Sequence, residues 1–284
     1  MKIIFTIIVT YNGEQWILNC LNSVINSSFK TEIVIVDNGS FDKTVNLVKE
    51  KFPSVKIIEN KINLGFGRAN NLGLQYAIER NADYFFLLNQ DAWIEFDTIE
   101  KLVNVLQSNT NFGILAPIRK VNNCEIEDNI LRNIVDDGEN NLLSDFILNN
   151  EVNDLYEISF IGAAAWLISY KCVKLVGGFD PIFFHYGEDN DYCKRVKMAK
   201  LQIGICPKIA IFHDKGLRSP DRTRSMRLRF AKLIFILRYK NISRIMFMYY
   251  YLQYFYYGIF YSDLVLNTKK LKFNLGLKTL RIEI

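Results

Sequence analysis

Asp91 closes the apolar run 84–88 through Asn89-Gln90, and His213 closes a second run, 209–212, in the same way. A carboxylate and an imidazole at strand ends, joined by two phosphate oxygens, would complete a Mn2+ or Mg2+ site. His213 is one of only two histidines in the chain. Further along, Gly187-Glu188-Asp189-Asn190-Asp191 sets three carboxylates within four residues. Clustered acids raise one another's pKa, and one of them in a cleft can serve as a general base. The same cluster also suits a solvated turn opening a helix, because acids favour helix N-termini. The stretch Asn63-Leu64-Gly65-Phe66-Gly67-Arg68-Ala69-Asn70-Asn71 carries Gly-x-Gly without the third glycine of a dinucleotide fingerprint. It reads instead as a loop that lets backbone approach a ribose or phosphate ahead of a helix.

Such groups need a frame that brings them together. Runs 3–9, 33–36 and 84–88 are rich in Ile, Val and Phe without alternation, the pattern of strands buried on both faces. Read as parallel, they place their C-terminal ends on one edge, where open α/β sheets bind ligands. Thr10-Tyr11-Asn12, Asp37-Asn38-Gly39-Ser40 and Asn89-Gln90-Asp91 follow these runs. Asp37 and Asp91 on that edge imply a pocket for a nucleotide and a divalent metal.

Between the first two strands Ile17, Cys20, Leu21 and Val24 recur with helical spacing. After Asp37, Ser40 is expected to cap a helix with Asp42 in its first turn, ending at Pro53. A short strand at 55–58 and a helix at 70–77 continue the strand–helix alternation of βαβ units. Residues 119–155 are rich in Asn and Asp and predict an irregular loop or small hairpin over the pocket. Order is expected to return at 158–169 and 203–212.

The 284 residues suffice for a substantial core, and an apolar content of 50% excludes wholesale disorder. Five widely spaced cysteines, with no Cys-x-x-Cys, fit free thiols in a reducing cytosol. The opening apolar stretch is short and reads as a strand rather than a signal peptide. Net charge is +5, yet residues 214–244 alone carry +8, leaving −3 elsewhere. A basic block of this kind seeks phosphates of nucleic acid, lipid or substrate. Tyr239, Tyr249, Tyr250, Tyr251, Tyr254, Tyr256, Tyr257 and Tyr261 follow it. Tyrosine favours the membrane–water boundary, so one reading is a helical pair lying in the plane of an anionic bilayer. The other is a helical appendage that packs its aromatics on the core or at a dimer interface. Tyrosines bunched after the arginines do not form the interleaved stacking platform of a nucleic-acid binder.

In their order these pieces resemble the family 2 glycosyltransferases of the GT-A fold, the rhamnosyltransferase-like branch most of all. The resemblance is carried by Ile8-Val9-Thr10-Tyr11-Asn12, Val36-Asp37-Asn38-Gly39-Ser40 with Asp42 and Thr44, Asn63-Leu64-Gly65-Phe66-Gly67, and Leu87-Leu88-Asn89-Gln90-Asp91. Gly162-Ala163, Gly177-Gly178-Phe179-Asp180, Glu188-Asp189 with Asp191 and Arg195, and His213 with Gly216 and Ser219 extend it to about residue 220. It implies a mostly parallel Rossmann-like α/β sheet over 1–220, with 221–284 as a basic, Tyr-rich helical tail.

It further implies a nucleotide site of Thr10, Tyr11, Asn12, Asp37, Asn38, Gly65, Phe66, Gly67, Asn70, Asn89 and Gln90. Asp91 and His213 would hold the metal. Asp189, beside Glu188, would be the base that deprotonates the acceptor hydroxyl. Gly162, Ala163, Phe179 and Asp180 would border the acceptor. The implied activity is inverting, metal-dependent transfer of a sugar, rhamnose among the candidates, from a nucleotide-diphosphate donor to a saccharide or lipid-linked saccharide. Cell-surface polysaccharide synthesis at the inner face of the membrane is the implied setting, without nucleic acid. Asn89 departs from the usual first aspartate of the Asp-x-Asp element, and Gln90 from a frequent proline. Two rivals remain. A sugar-phosphate nucleotidyltransferase usually carries a basic phosphate loop after its first strand, whereas Thr10-Tyr11-Asn12-Gly13-Glu14 has no Lys or Arg. An inactive nucleotide-sugar or carbohydrate-binding homologue could keep the fold.

Overall fold

The computed structural model describes residues 2–121, 125–137, 140–214, 222–240 and 243–260. Strands β1 (Ile4–Thr10), β2 (Glu32–Asp37), β3 (Lys56–Glu59) and β4 (Tyr84–Asn89) alternate with helices α1 (Ile17–Ile25), α2 (Thr44–Lys51) and α3 (Phe66–Ile78). Then come β5 (Ala92–Ile94), α4 (Thr98–Ser108), β6 (Phe112–Lys120), α5 (Asp128–Asp137), α6 (Leu142–Leu148), β7 (Tyr156–Glu157) and β8 (Ala165–Ser169). Helices α7 (Tyr170–Val176) and α8 (Glu188–Met198), strand β9 (Gln202–His213), and helices α9 (Arg222–Tyr239) and α10 (Arg244–Phe260) complete the described residues.

The strands form one sheet in the order β3-β2-β1-β4-β8-β6-β9-β5, with β7 also on β9. The half built from β1 to β4 is parallel, as the unalternated runs predict. Both faces of its strands are covered. Phe5, Ile7, Val34, Phe85 and Leu87 pack with Leu74 of α3 and Tyr192 of α8, while Ile4, Ile8, Ile35, Phe86 and Leu88 pack with Leu21 of α1 and Leu102 of α4. Each such side chain fully removed from water contributes about 1.5–3 kcal/mol. The buried face of α1 is Ile17, Cys20, Leu21 and Val24, the predicted stripe.

The α/β sheet with flanking helices is the one expected, and it includes antiparallel members: β8 runs antiparallel between β4 and β6, and β5 runs antiparallel to β9. Two expectations need correcting. Helix α2 starts at Thr44 rather than beside Ser40. Asp42 accepts the Thr44 N–H, while the Ser40 hydroxyl bonds to Asp37. Residues 119–155 contain the end of β6 and helices α5 and α6 rather than an irregular loop. Ile130, Ile134 and Leu142 are buried in the main core, an apolar signal diluted in the sequence by Asn and Asp.

A third apolar cluster joins Ile182 and Phe183 to Phe230, Ala231, Ile234 and Leu237 of α9 and Tyr254 of α10. The described part of the basic segment therefore packs aromatics on the core. Its stretch 215–221 and residues 261–284 lie outside the described residues, and with them Gly216, Ser219, the expected boundary at 220 and the end of the tail. No described helix is long and apolar enough to cross a membrane.

Candidate functional site

The C-terminal ends of β1, β2 and β4 meet a cleft of about 310 Å³. Its wall includes Tyr11, Asn38, Gly65, Phe66, Asn89, Gln90 and Asp91, together with Val9, Asn63, Phe184, His185 and Arg227. Parallel pairing of β1 with both β2 and β4 sets Thr10 beside Asp37 and Val9 beside Asn89.

Asp37 is buried and acts as a turn organiser. Its carboxylate accepts from Thr10 Oγ1 at 2.9 Å, from the Gly39 and Ser40 N–H groups at 3.0 and 2.9 Å, and from Ser40 Oγ at 2.5 Å. Asn38 ties this turn to the glycine loop, donating from Nδ2 to Gly65 O at 3.2 Å. Tyr11 is clasped through its backbone by Gln90, N–H to Oε1 at 3.0 Å and Nε2 to O at 3.1 Å. Asn12, at φ 48, accepts the Phe41 N–H on its side chain. Gly65 has φ +83, and a Cβ there would overlap the Phe184 carbonyl oxygen, so only glycine lets these walls meet.

The rest of the predicted nucleotide set sits behind that wall. Gly67 and Asn70 lie on the inner side of α3. A Cβ on Gly67 would come within 2.9 Å of Phe179, and Asn70 donates to Phe66 O at 3.0 Å.

Asp91 and His213 are brought together by the antiparallel pairing of β5 and β9, which sets Ala92 opposite His213. His213 Nε2 lies 3.3 Å from Asp91 Oδ1 and lacks a well-directed hydrogen bond, while Nδ1 lies 3.2 Å from Glu127 Oε2. Burial opposes a proton on this imidazole, but Asp91 and Glu127 outweigh it and hold its pKa above the usual value. A carboxylate behind one ring nitrogen, with the other turned to a carboxylate, is a donor arrangement suited to a divalent cation. Among the described residues no cluster of three His, Cys, Asp or Glu surrounds a common point.

Glu127 also receives Arg119 Nε at 2.8 Å, and Arg119 donates to Gly162 O at 2.6 Å. A Cβ on Gly162 would lie 3.6 Å from Asp189 Oδ2, so this buried polar chain reaches the start of α8. Burial raises the Asp189 pKa against the opposing pull of its backbone donors and Arg119. Burial, then the charge of Asp189, pushes Glu188 up to about 8, and its Oε2 has no hydrogen-bond partner among the described residues. Ala163 is buried and supplies a backbone hydrogen bond to Asp189.

Phe179 and Asp180 do not face the cleft. Phe179 is fully buried against Trp166, and Asp180 pairs with Arg238 at 2.6 Å. Gly-Phe-Asp motifs look alike whether the side chains face ligand or core, so the sequence could not separate them. Arg119, Glu127, His185 and Arg227 were not singled out. A charged residue directly after the apolar run 112–118 was the available signal for Arg119.

The family model for Glycosyl transferase family 2 matches residues 6–174. The low-salt glycan biosynthesis hexosyltransferase Agl10 of Haloferax volcanii is 26% identical over 223 residues, which are 77% of this chain and 68% of that protein. The dTDP-rhamnosyl transferase RfbF of Shigella flexneri is 26% identical over 226 residues, 76% of this chain and 70% of that one. Among solved structures, GalNAc-T7 with UDP, GalNAc and Mn2+ superposes with a TM-score of 0.63 at 15% identity, over 95% of this chain and 58% of that one. The mannosyltransferase PcManGT from Pyrobaculum calidifontis, in complex with GDP-Man and Mn2+, gives 0.62 at 15% identity, over 93% and 72%.

Proposed function

The chain belongs to glycosyl transferase family 2 and has the GT-A fold, and from that premise we propose that it moves a sugar from a nucleotide-diphosphate donor to an acceptor hydroxyl with inversion. The observation that supports this reading is a cleft walled by Asp91 and residues at the ends of β1, β2 and β4, with His213 3.3 Å behind Asp91. Tyr11, Asn38, Gly65 and Phe66 would hold the nucleoside. Asp37 and Thr10 would shape the turn beneath it. Asp91 and His213 would hold a divalent cation, with donor phosphates completing its ligands. When bound there, that cation supplies positive charge against which the diphosphate departs.

Asp189, half-buried, would in its carboxylate form take the proton of the acceptor hydroxyl as its oxygen attacks the anomeric carbon. Gly162 and Ala163, packed beside Asp189, would border the acceptor. Glu188, kept protonated by its burial, would hold the second carboxyl of the pair uncharged beside that base. The similarity to RfbF supports dTDP-rhamnose as the first donor to test, and a saccharide or lipid-linked saccharide as acceptor. An anionic membrane surface is the proposed setting for the exposed side of α10.

Calorimetric titration of UDP, dTDP and GDP, each with and without Mn2+, tests the donor site. One of them should bind with metal dependence in the wild type and lose that dependence in Asp91→Ala. Binding that is equally strong with and without Mn2+ in both proteins would remove the metal from the proposal.

A further inference from the structure

Arg227 reaches the cleft from α9, beyond the segment that the family model matches. Among the described residues it is the only lysine or arginine in that wall. Its guanidinium lies 4.9 Å from the centroid of the Phe184 ring. A guanidinium held on an aromatic face beside a cleft is one half of an anion site.

The helix that carries it is fixed. Arg227 and Arg238 are eleven residues apart, about 16 Å or three turns, so they share one face of α9. Ala231 and Ile234 lie between them on that face and are buried. Ala231 packs on Gly187, where an added Cβ would lie 2.6 Å from it. Arg238 pairs with Asp180 at 2.6 Å and Asp191 at 3.1 Å, and Tyr239 donates to Asp191 at 2.7 Å. Asp191 sits one turn into α8, the helix that begins with Glu188 and Asp189. The face that docks α9 beside the proposed base therefore extends at its other end to the donor cleft.

We infer that Arg227 is a ligand of the donor's diphosphate, which makes α9 part of the donor site. The inference rests on the nucleotide-diphosphate reading above. Guanidinium forks match phosphate oxygens in bidentate fashion. Their charge also meets the negative charge that builds on the diphosphate as the sugar leaves. With Asn89 in place of a second aspartate, the cleft holds one carboxylate fewer to repel that anion.

UDP, dTDP and GDP are titrated with Mn2+ into the full wild-type chain. Whichever binds, and its parent nucleoside, are then titrated into Arg227→Gln and Arg227→Lys. Arg227→Gln should weaken the diphosphate by about ten- to a hundredfold, the loss of a charge-assisted hydrogen bond. Its nucleoside affinity should not change, and Arg227→Lys should recover part of the loss. Equal losses for diphosphate and nucleoside would overturn the inference, because Arg227 would then only shape the wall through Phe184. No loss for either would overturn it too. A wild type that binds none of the three diphosphates refutes the donor site itself, a result distinct from both.

Discussion

Glu188 is buried beside Asp189, and the two cannot both ionise cheaply. A carboxyl whose folded pKa lies above its unfolded value favours folding only while protonated. Its contribution is thus full at low pH and is lost as pH rises from the ordinary 4.5 towards about 8. Glu188→Gln should remove that slope and raise the melting temperature above pH 8 by about 2 °C or more. Thermal scans from pH 5 to pH 9 on both proteins check this, and parallel curves would sink it. In turnover the sign reverses. As the proposed base, Asp189 must be ionised to accept a proton, and its raised pKa predicts a rate that falls earlier on acidification than an ordinary aspartate would allow. The carboxylate cluster was legible from its spacing alone. Which member is buried was not, because adjacent residues on a helix diverge and only the packing of α8 decides between them.

At the level of elements, α9 is held by apolar burial and by one polar knot. Arg195, Arg238 and Tyr239 all converge on Asp191, which has no solvent exposure. Removing one partner of a buried ion pair costs about 3–5 kcal/mol. Arg238→Ala should therefore lower the melting temperature clearly and open α9 to limited proteolysis, with cleavage inside 222–240. A variant with wild-type melting and an intact protease pattern would show that the apolar contacts suffice. The strands β1, β2 and β4 and the stripe of α1 were readable because both-face burial and the 3.6 period leave plain patterns. The antiparallel β8 was not, since a buried strand has the same composition in either direction. Helix α9 reads in sequence simply as part of a basic block, yet three of its cationic positions differ in fate. Arg227 lines the cleft, Arg238 is in the knot, and Lys232 is exposed.

For the molecule as a whole, α10 presents Ile245, Met248, Tyr249, Leu252 and Tyr256 to solvent at helical spacing, while Tyr254 is buried against Phe230. The exposed stripe is the surface to test for lipid. A Met248→Glu, Leu252→Glu double variant should lose flotation with anionic liposomes while keeping its melting temperature. Unchanged flotation would rule out this face. The antiparallel pairing of Ala92 with His213 also bears on how the protein is made. The wall proposed for the nucleoside comes mostly from the first ninety or so residues, whereas the imidazole beside Asp91 arrives only with residue 213 and Arg227 later still. During translation the partly emerged chain can assemble its first βαβ layers, but it holds neither the imidazole nor the guanidinium of the proposed donor site. On the proposed reading, a chain released before residue 213 would keep the nucleoside wall but lack both groups assigned to the metal and diphosphate beyond it, so truncated products of the ribosome would compete only weakly for the sugar pool.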